Sequence, residues 1–511
     1  RNITSGVLSG STDNVWFGTV FGVSMLRPDG SWKYFFGPRW LPGEGFTTGM
    51  AVQSLAAGYN PADGSEVVLV ATDTGLSLIY TLSWTSLETK AAFYQSQMPR
   101  FLRFGLVSVL GLSEFGSTNN YAQQPTANDG LWTSLYLGSQ SFRYAATGSS
   151  DAKQEAWNAF NGMQMLVNVT GDVHYPARNF IQHSLPCPSS YNPSPSLPGF
   201  CWNGGTSSDE IVGHLHGYNL FYHLVASTPE EKARVVATIT NILGGIVKNN
   251  FTLIGAHGDP THWGHWGPQD LNNDPFWYDE RGVNSAQILI YLVTAYGITE
   301  NEMFADAFWY LVDEAHYDEN IIDLKITQPS DINFSDDELT FLPYLSFLFG
   351  EKFANGTINP LYQRLAPQMW KSIQRTHSIV AREKPSLYNA VYAAAAMQLA
   401  GYAPTESTIE RAVTDSQWFF QTYTVWQVDW PINNAVRIDA VFPHNDVGRG
   451  GPGDGTTHTL TLFPYDEQTM LRWNSNPFRT QQGTGFNELD PSPFLYPFWV
   501  GSMKLNTITT T

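Results

Sequence analysis

Ser207-Ser-Asp-Glu-Ile-Val-Gly-His-Leu-His-Gly-Tyr218 opens on a polar cluster and runs on as a weakly charged helix. Pro229-Glu-Glu-Lys-Ala-Arg-Val-Val236, which follows, is a charged helix with a single apolar face. The second kind suits a helix with one side in water, the first a helix covered all round. That alternation decides the fold.

The same pair recurs along the chain. Charged amphipathic helices are read at 151–160, 229–236, 301–308, 360–365 and 407–413. Between them lie Asn128-Asp-Gly-Leu-Trp-Thr-Ser-Leu-Tyr136, the 207–218 segment, Arg281-Gly-Val-Asn-Ser-Ala-Gln-Ile-Leu-Ile-Tyr291, Ser335-Asp-Asp-Glu-Leu-Thr-Phe341 and Leu387-Tyr-Asn-Ala-Val-Tyr-Ala-Ala-Ala-Ala396. A sixth candidate follows Pro464-Tyr-Asp-Glu-Gln-Thr-Met-Leu-Arg-Trp473. Outer and inner helices in alternation predict a mainly α chain, an (α/α)5–6 toroid of helical hairpins, with a flat solenoid as the alternative. The Gly/Pro-rich stretch 441–454 reads as a loop folded over one end.

Residues 1–95 have a different texture. Val15-Trp-Phe-Gly-Thr-Val-Phe-Gly-Val-Ser24 is echoed by Val68-Leu-Val-Ala-Thr-Asp-Thr-Gly-Leu-Ser77, each a β-prone run, a Gly turn and a second apolar run. Two repeats are fewer than a propeller needs, so a small β-cap is the preferred reading over a propeller with blades missing. The expected division is a β-rich segment at 1–95, a toroid at 96–505 and a tail at 506–511.

The chain has 511 residues, 46 acidic against 27 basic, a net charge of −19, and 14% aromatic residues. An acidic surface of that kind repels phosphate backbones, which argues against nucleic acid and anionic membranes as partners. No apolar run is long enough to span a bilayer. The only cysteines, Cys187 and Cys201, bracket a Pro-rich loop and predict a local disulfide, hence an oxidising compartment. The chain opens on Arg1, as a processed protein does. N-glycosylation sequons stand at Asn2, Asn168, Asn250, Asn333 and Asn355. Together these predict a secreted protein.

The segments Asn128-Asp-Gly-Leu-Trp132, Ser207-Ser-Asp-Glu210 and Ser335-Asp-Asp-Glu338, on that pattern of hairpins, resemble the six-hairpin (α/α)6 toroid proteins, a class rich in glycoside hydrolases and polysaccharide lyases. The 1–95 repeats resemble the blades of two-component-regulator propellers. The toroid resemblance covers roughly residues 100–505 and implies a carbohydrate substrate or ligand. It carries over no catalytic residue, and fold analogy alone is a weak warrant for function.

The polar clusters all fall at the starts of inner helices, which places them together at one mouth of the ring, where helix N-termini favour anions. Plain capping competes, because Ser207 and Ser335 precede Glu210 and Glu338 at capping-box spacing. Glycosidic hydrolysis needs two carboxyl groups across the scissile bond. Asp209, Glu210 and Asp337 are the candidates for acid/base work, with Asp129, Trp132, Asp336 and Glu338 lining the site. Glu210, His214 and Tyr218 share a helical face at steps of four, which would also serve a lyase, with Asn284, Arg281 or Arg472 neutralising a uronate.

His257-Gly-Asp-Pro-Thr-His-Trp-Gly-His-Trp-Gly-Pro268 reads as a binding lip with Trp263 and Trp266 as stacking platforms. His262 and His265 match no standard zinc spacing, so no cofactor is expected, although a bound metal ion stays open. No Gly-x-Ser-x-Gly elbow is present. Tyr465-Asp-Glu467 and Asn487-Glu-Leu-Asp490 read first as packing. The expected activity is cleavage of a glycosidic linkage, hydrolase ahead of lyase. The alternative is a non-catalytic glycoprotein, sugar-binding or structural, on the same scaffold. A glycan at Asn333, beside the Asp336 cluster, would favour the latter. Self-association through the β-rich segment is left open.

Overall fold

The computed structural model describes residues 3–9, 12–43, 50–62, 64–80, 86–325, 333–435, 437, 439–443, 458–469 and 472–505. The Asn2 sequon, the 506–511 tail and the core of the 441–454 loop lie outside the described residues.

Seven strands come first. β1 (Ile3–Leu8), β2 (Val15–Thr19), β3 (Gly22–Leu26) and β4 (Trp32–Phe35) form one antiparallel sheet in that order, and β5 (Val52–Tyr59), β6 (Glu66–Thr72) and β7 (Leu76–Tyr80) a second. The echoed sequences are the β2–β3 and β6–β7 hairpins. The two sheets close on a core of their own that includes Trp16, Val23, Phe35, Val52, Val68 and Ile79. Close approach needs Gly18, where a Cβ would stand 2.5 Å from Val52 Cγ1.

Twelve helices of eight or more residues follow among the described residues. They are α1 (Leu87–Gln97), α2 (Asp129–Thr147), α3 (Ser150–Asn168), α4 (Ser208–Leu224), α5 (Pro229–Lys248) and α6 (Arg281–Thr299), then α7 (Glu302–Trp309), α8 (Ser335–Phe347), α9 (Pro360–Val380), α10 (Ser386–Ala400), α11 (Ser407–Thr422) and α12 (Ser492–Lys504). The inner helices α2, α4, α6, α8, α10 and α12 touch in that order, and α12 returns to α2, so the ring closes. Outside it, α3 and α5 pack between inner neighbours, α9 lies on α8 and α10, and α7, α11 and α1 lie on α6, α10 and α12. The architecture is an (α/α)6 toroid, and the flat-solenoid alternative is excluded by closure.

Local chemistry explains the hairpins. α5 starts on a capping box, Thr228 with Glu231, and Pro229 fills its first turn. In α9, Leu361, Leu365, Met369 and Ile373 recur every fourth residue on the buried side. Gly148 and Gly401 end α2 and α10 in left-handed conformations, at φ of 67° and 68°.

Two expectations about elements are corrected. Among the described residues the stretch 464–473 holds a 3₁₀ turn, Tyr465–Glu467, and no helix, with Tyr465 packed on Phe419 and Glu467 drawn into an ion pair with Arg437. The sixth inner helix is α12 instead, in spite of Pro493 and Pro497, because Phe494, Tyr496 and Phe498 are wholly buried against the ring. The sixth outer helix, α1, begins at Leu87, within the stretch that reads as β-rich.

The β sheets dock on the toroid at Asp466 and Glu467. Lys33 pairs with Asp466, Arg39 donates to the Asp466 carbonyl at 2.6 Å, and the Tyr34 N–H reaches Glu467.

Candidate functional site

The inner helices start at one end of the ring, and each brings a polar group there. Asp129 opens α2, Asp209 and Glu210 α4, Asp336–Glu338 α8, Ser386 α10 and Ser492 α12, while Glu280 immediately precedes α6. Capping does not account for the acids. Ser207 gives its hydroxyl to Asp209 at 2.6 Å rather than to the helix, and the residue before α8 is Phe334, which makes no side-chain cap.

Which acids look into the ring follows from a hydrogen-bonded girdle deeper down. His216 on α4 bonds Ser346 Oγ of α8 through Nδ1 (2.7 Å) and Tyr496 Oη of α12 through Nε2 (2.5 Å). Three helices meet there, so these side chains face the axis. Asp209 lies seven residues before His216, which puts its carboxyl on the axial face about two turns higher, and the Glu338 carboxyl, in the first turn of α8, is near enough to feel the Asp209 charge. Ser492 stands one turn above Tyr496.

Glu338 is wholly buried, and neither of its oxygens has a hydrogen-bond partner among the described residues. Burial, reinforced by the Asp209 and Asp490 carboxylates and opposed by Arg472, pushes its carboxyl up to about 8. Glu280 is raised as well, by burial first, with Lys325 opposing and Asp209 adding to the effect. Asp209 itself is half-buried. Three further buried groups without partners among the described residues sit around this end, Ser386 Oγ, Ser492 Oγ and Arg472 Nε, and Tyr291 Oη is a fourth, about three turns along α6. Buried polar atoms are rarely left unpaired, and such a gathering marks this end as the candidate site. Arg472 covers the mouth on one side, its guanidinium 4.1 Å from the Trp132 ring centroid and 3.2 Å from Asp490.

Glu210, His214 and Tyr218 share a face as expected, but that face looks between the rings and not into the mouth. Both Glu210 oxygens accept the Gly130 N–H, at 3.2 and 3.1 Å, so this carboxyl serves an unpaired donor in the first turn of α2. Burial raises it well above the usual carboxylate range. His214 Nε2 stands 3.7 Å from it, Nδ1 is 2.9 Å from Tyr218 Oη, and that hydroxyl accepts from Gln164 of the outer helix α3 at 2.9 Å. Burial lowers His214 to about 3, and it also raises Tyr218, so the pair is ill suited to proton abstraction from a substrate.

Other expected residues are committed elsewhere. Asp129 accepts from Arg103 at 2.7 Å and from both N–H and hydroxyl of Thr126; burial lifts it to about 6 against the pull of Arg103. Asp337 and Asp336 face Lys325 at 3.2 and 3.6 Å, and Asp336 also accepts from Asn333 at 2.7 Å. The Asn333 nitrogen, the atom a glycan would occupy, is thus turned onto the Asp336 carboxyl. Asn168, Asn250 and Asn355 are exposed. Cys187 and Cys201 form the disulfide, with Cα atoms 5.8 Å apart.

On the lip, Trp263 is exposed and lies over Phe276, with ring centroids 6.4 Å apart at 23°. Trp266 is corrected: it is wholly buried, its indole N–H on Gln287, and offers no face. Asn284 ties the lip to α6 by donating to the His265 carbonyl. His265 has both nitrogens engaged, by Asp270 at 3.0 Å and the Thr261 carbonyl at 2.8 Å, which leaves none for a metal. Glu280 and Tyr291 were not foreseen. Glu280 had a signal, since it stands just ahead of an inner helix as the other acids do.

No protein-family model and no curated protein matches the chain. Solved structures similar to it include an unsaturated glucuronyl hydrolase from Bacillus sp. GL1, at 10% identity over 84% of this chain and 98% of that one, with a TM-score of 0.40. A D-mannose isomerase is 11% identical over 82% and 97%, with a TM-score of 0.39. A thermostable endoglucanase from Alicyclobacillus acidocaldarius is 9% identical over 96% of both chains, with a TM-score of 0.41.

Proposed function

We propose that the protein acts on carbohydrate at the mouth of the toroid, hydrolysing a glycosidic linkage with Glu338 as general acid and Asp209 as its partner carboxylate. The observation that carries this reading is Glu338: a wholly buried carboxyl with no partner for either oxygen among the described residues, held protonated at neutral pH within reach of the charge of a second, more exposed acid, Asp209. A carboxyl kept protonated near a second carboxyl group is what acid-assisted hydrolysis requires. Ser386, Ser492 and Arg472 would bind sugar hydroxyls, and Trp263 with Phe276 would stack on sugar rings at the lip. The Cys187–Cys201 bond supports an extracellular setting. Among the described residues no helix is long and apolar enough to cross a membrane.

A non-catalytic, sugar-binding role is favoured by one observation: Asp129, Glu210 and Glu338 are all completely covered. Digestion of a glycan panel separates the readings. Reducing ends released by the wild type, lost in both Glu338→Gln and Asp209→Asn, with no new ultraviolet absorbance, establish hydrolysis at this pair. New absorbance from unsaturated uronates makes it a lyase. Binding without turnover across the panel leaves the non-catalytic role.

A further inference from the structure

A second cavity, of about 580 Å³, lies in the seam between the β sheets and the toroid. It opens at the C-terminal end of α11, beside the docking contacts of Asp466. Its size is that of a small-molecule site. Among the described residues its charge is opposite to that of the molecule as a whole: Arg27, Lys33, Arg39 and Lys90 line it, against the one lining carboxylate Asp466. Behind them Glu467 is already occupied by Arg437 at 2.5 Å, and Arg437 is shared with Asp439 at 2.7 Å.

Docking of the sheets accounts for only part of this excess. Lys33 takes Asp466, and Lys90 donates to the carbonyls of Phe420 and Tyr423 at 2.6 and 2.8 Å, closing the end of α11. Arg39 uses one nitrogen on the Asp466 carbonyl, while its Nε and Nη2 are out of reach of solvent and have no partner among the described residues. Arg27 donates to the Ser31 hydroxyl at 3.2 Å and feels the exposed Asp29 carboxylate, its side chain having no other hydrogen-bond partner among the described residues. A buried guanidinium whose Nε and Nη2 lack partners among the described residues carries the fork that carboxylate and sulfate oxygens fit. Across the cavity, Trp426 is 45% exposed and Trp40 and Trp430 share the lining, so flat apolar faces stand next to the cations. Burial brings Lys90 down to about 7, with only Asp466 opposing, as expected where cations outnumber acids.

We propose that this seam is a binding site for an anionic saccharide bearing carboxylate or sulfate groups, separate from the barrel mouth. The acidic groups meet Arg39 and Arg27, and the sugar rings lie on the tryptophans. The inference stands on the seam's own residues and does not depend on catalysis at Glu338.

Calorimetric titration of the full chain in about 0.1 M salt tests it, with trigalacturonate, a sulfated chondroitin disaccharide and neutral cellotriose as probes. At least one acidic probe should bind ten times or more tighter than cellotriose, and which one identifies carboxylate or sulfate. Arg27→Gln and Trp426→Ala, both at partly exposed positions, should each weaken that binding about tenfold, whereas Glu338→Gln should leave it unchanged. Equal affinity for acidic and neutral probes overturns the proposal. So does acidic binding that disappears in Glu338→Gln and persists in Arg27→Gln and Trp426→Ala; that result moves the ligand to the mouth and leaves the proposed function standing.

Discussion

The backbone N–H of Gly130 donates to both carboxylate oxygens of Glu210, joining the first turn of α2 to the first turn of α4. There is no room beside that bond. A Cβ on residue 130 would stand 2.3 Å from Glu210 Oε2 and 2.8 Å from His214 Nε2. Gly130→Ala should therefore destabilise the chain by about 1–3 kcal/mol through overpacking of a buried site. Glu210→Ala should cost a similar amount by leaving the Gly130 donor unpaired. Urea unfolding measures both. A neutral Gly130→Ala would mean that the two helices are not locked together there.

On the proposed mechanism Glu338 works only while protonated. Turnover of whatever glycan the panel identifies should fall as pH rises through about 8, the value to which burial and Asp209 push this carboxyl. Glu338→Gln should lose about 10²–10⁴ in kcat with the protein still folded. Asp209→Asn removes a carboxylate that raises Glu338, so any residual activity should decline at lower pH than in the wild type. A pH–rate series on the two proteins decides this; an unshifted upper limb would detach Asp209 from Glu338.

The closed ring was legible because its cause is periodic. Inner helices must be apolar all round and outer helices on one side, and both patterns are written in the sequence at 128–136, 207–218 and 229–236. α12 was hidden by Pro493 and Pro497, whose low helix propensity is overridden by burial of Phe494, Tyr496 and Phe498. At the site, helical spacing correctly grouped Glu210, His214 and Tyr218 but could not say which way that face turns. Only the contacts of Gln164 with Tyr218, and of His216 with Ser346 and Tyr496, orient α4 and so separate Glu210 from Asp209. Arg103, which holds Asp129, comes from a two-residue strand, and Lys325, which holds Asp337, from a loop, neither with a pattern to mark it.

Removing Arg103 tests how Asp129 is kept. This carboxyl is fully buried, and its pKa is about 6 even with the guanidinium 2.7 Å away. In Arg103→Met the opposing charge is gone, so Asp129 rises further and holds its proton over a wider pH range. Near pH 4 the carboxyl is neutral in both folded proteins, and the cost should be small. At pH 7 the variant should be less stable by a further ~1 kcal/mol, since folded Asp129 has largely ionised in the wild type and has not in the variant. Denaturant unfolding at the two pH values gives the comparison. An equal loss at both would make the Arg103 contact one of packing alone.

The same linkage makes a sharper prediction for Glu338. Folded, it keeps its proton up to about 8; unfolded, it releases it near the ordinary 4.5. Between those values the folded state binds one proton more than the unfolded, so stability falls with rising pH, by at most about 1.4 kcal/mol per unit from this one group. Below 4.5 the group contributes no such slope, because both states are protonated, and above 8 it adds none, because both are ionised. Glu338→Gln is neutral at every pH and fits the same space. It should match the wild type in stability near pH 4 and exceed it increasingly up to pH 8. The other buried carboxyls, Asp129 and Glu210 among them, titrate in both proteins and largely cancel in the difference. A protein made more stable by losing the acid it needs is the mark of a group held for chemistry and not for folding. Unfolding curves for the pair at pH 4, 6 and 8 carry the test; parallel stability profiles would show Glu338 ionised in the folded state and remove it as the general acid.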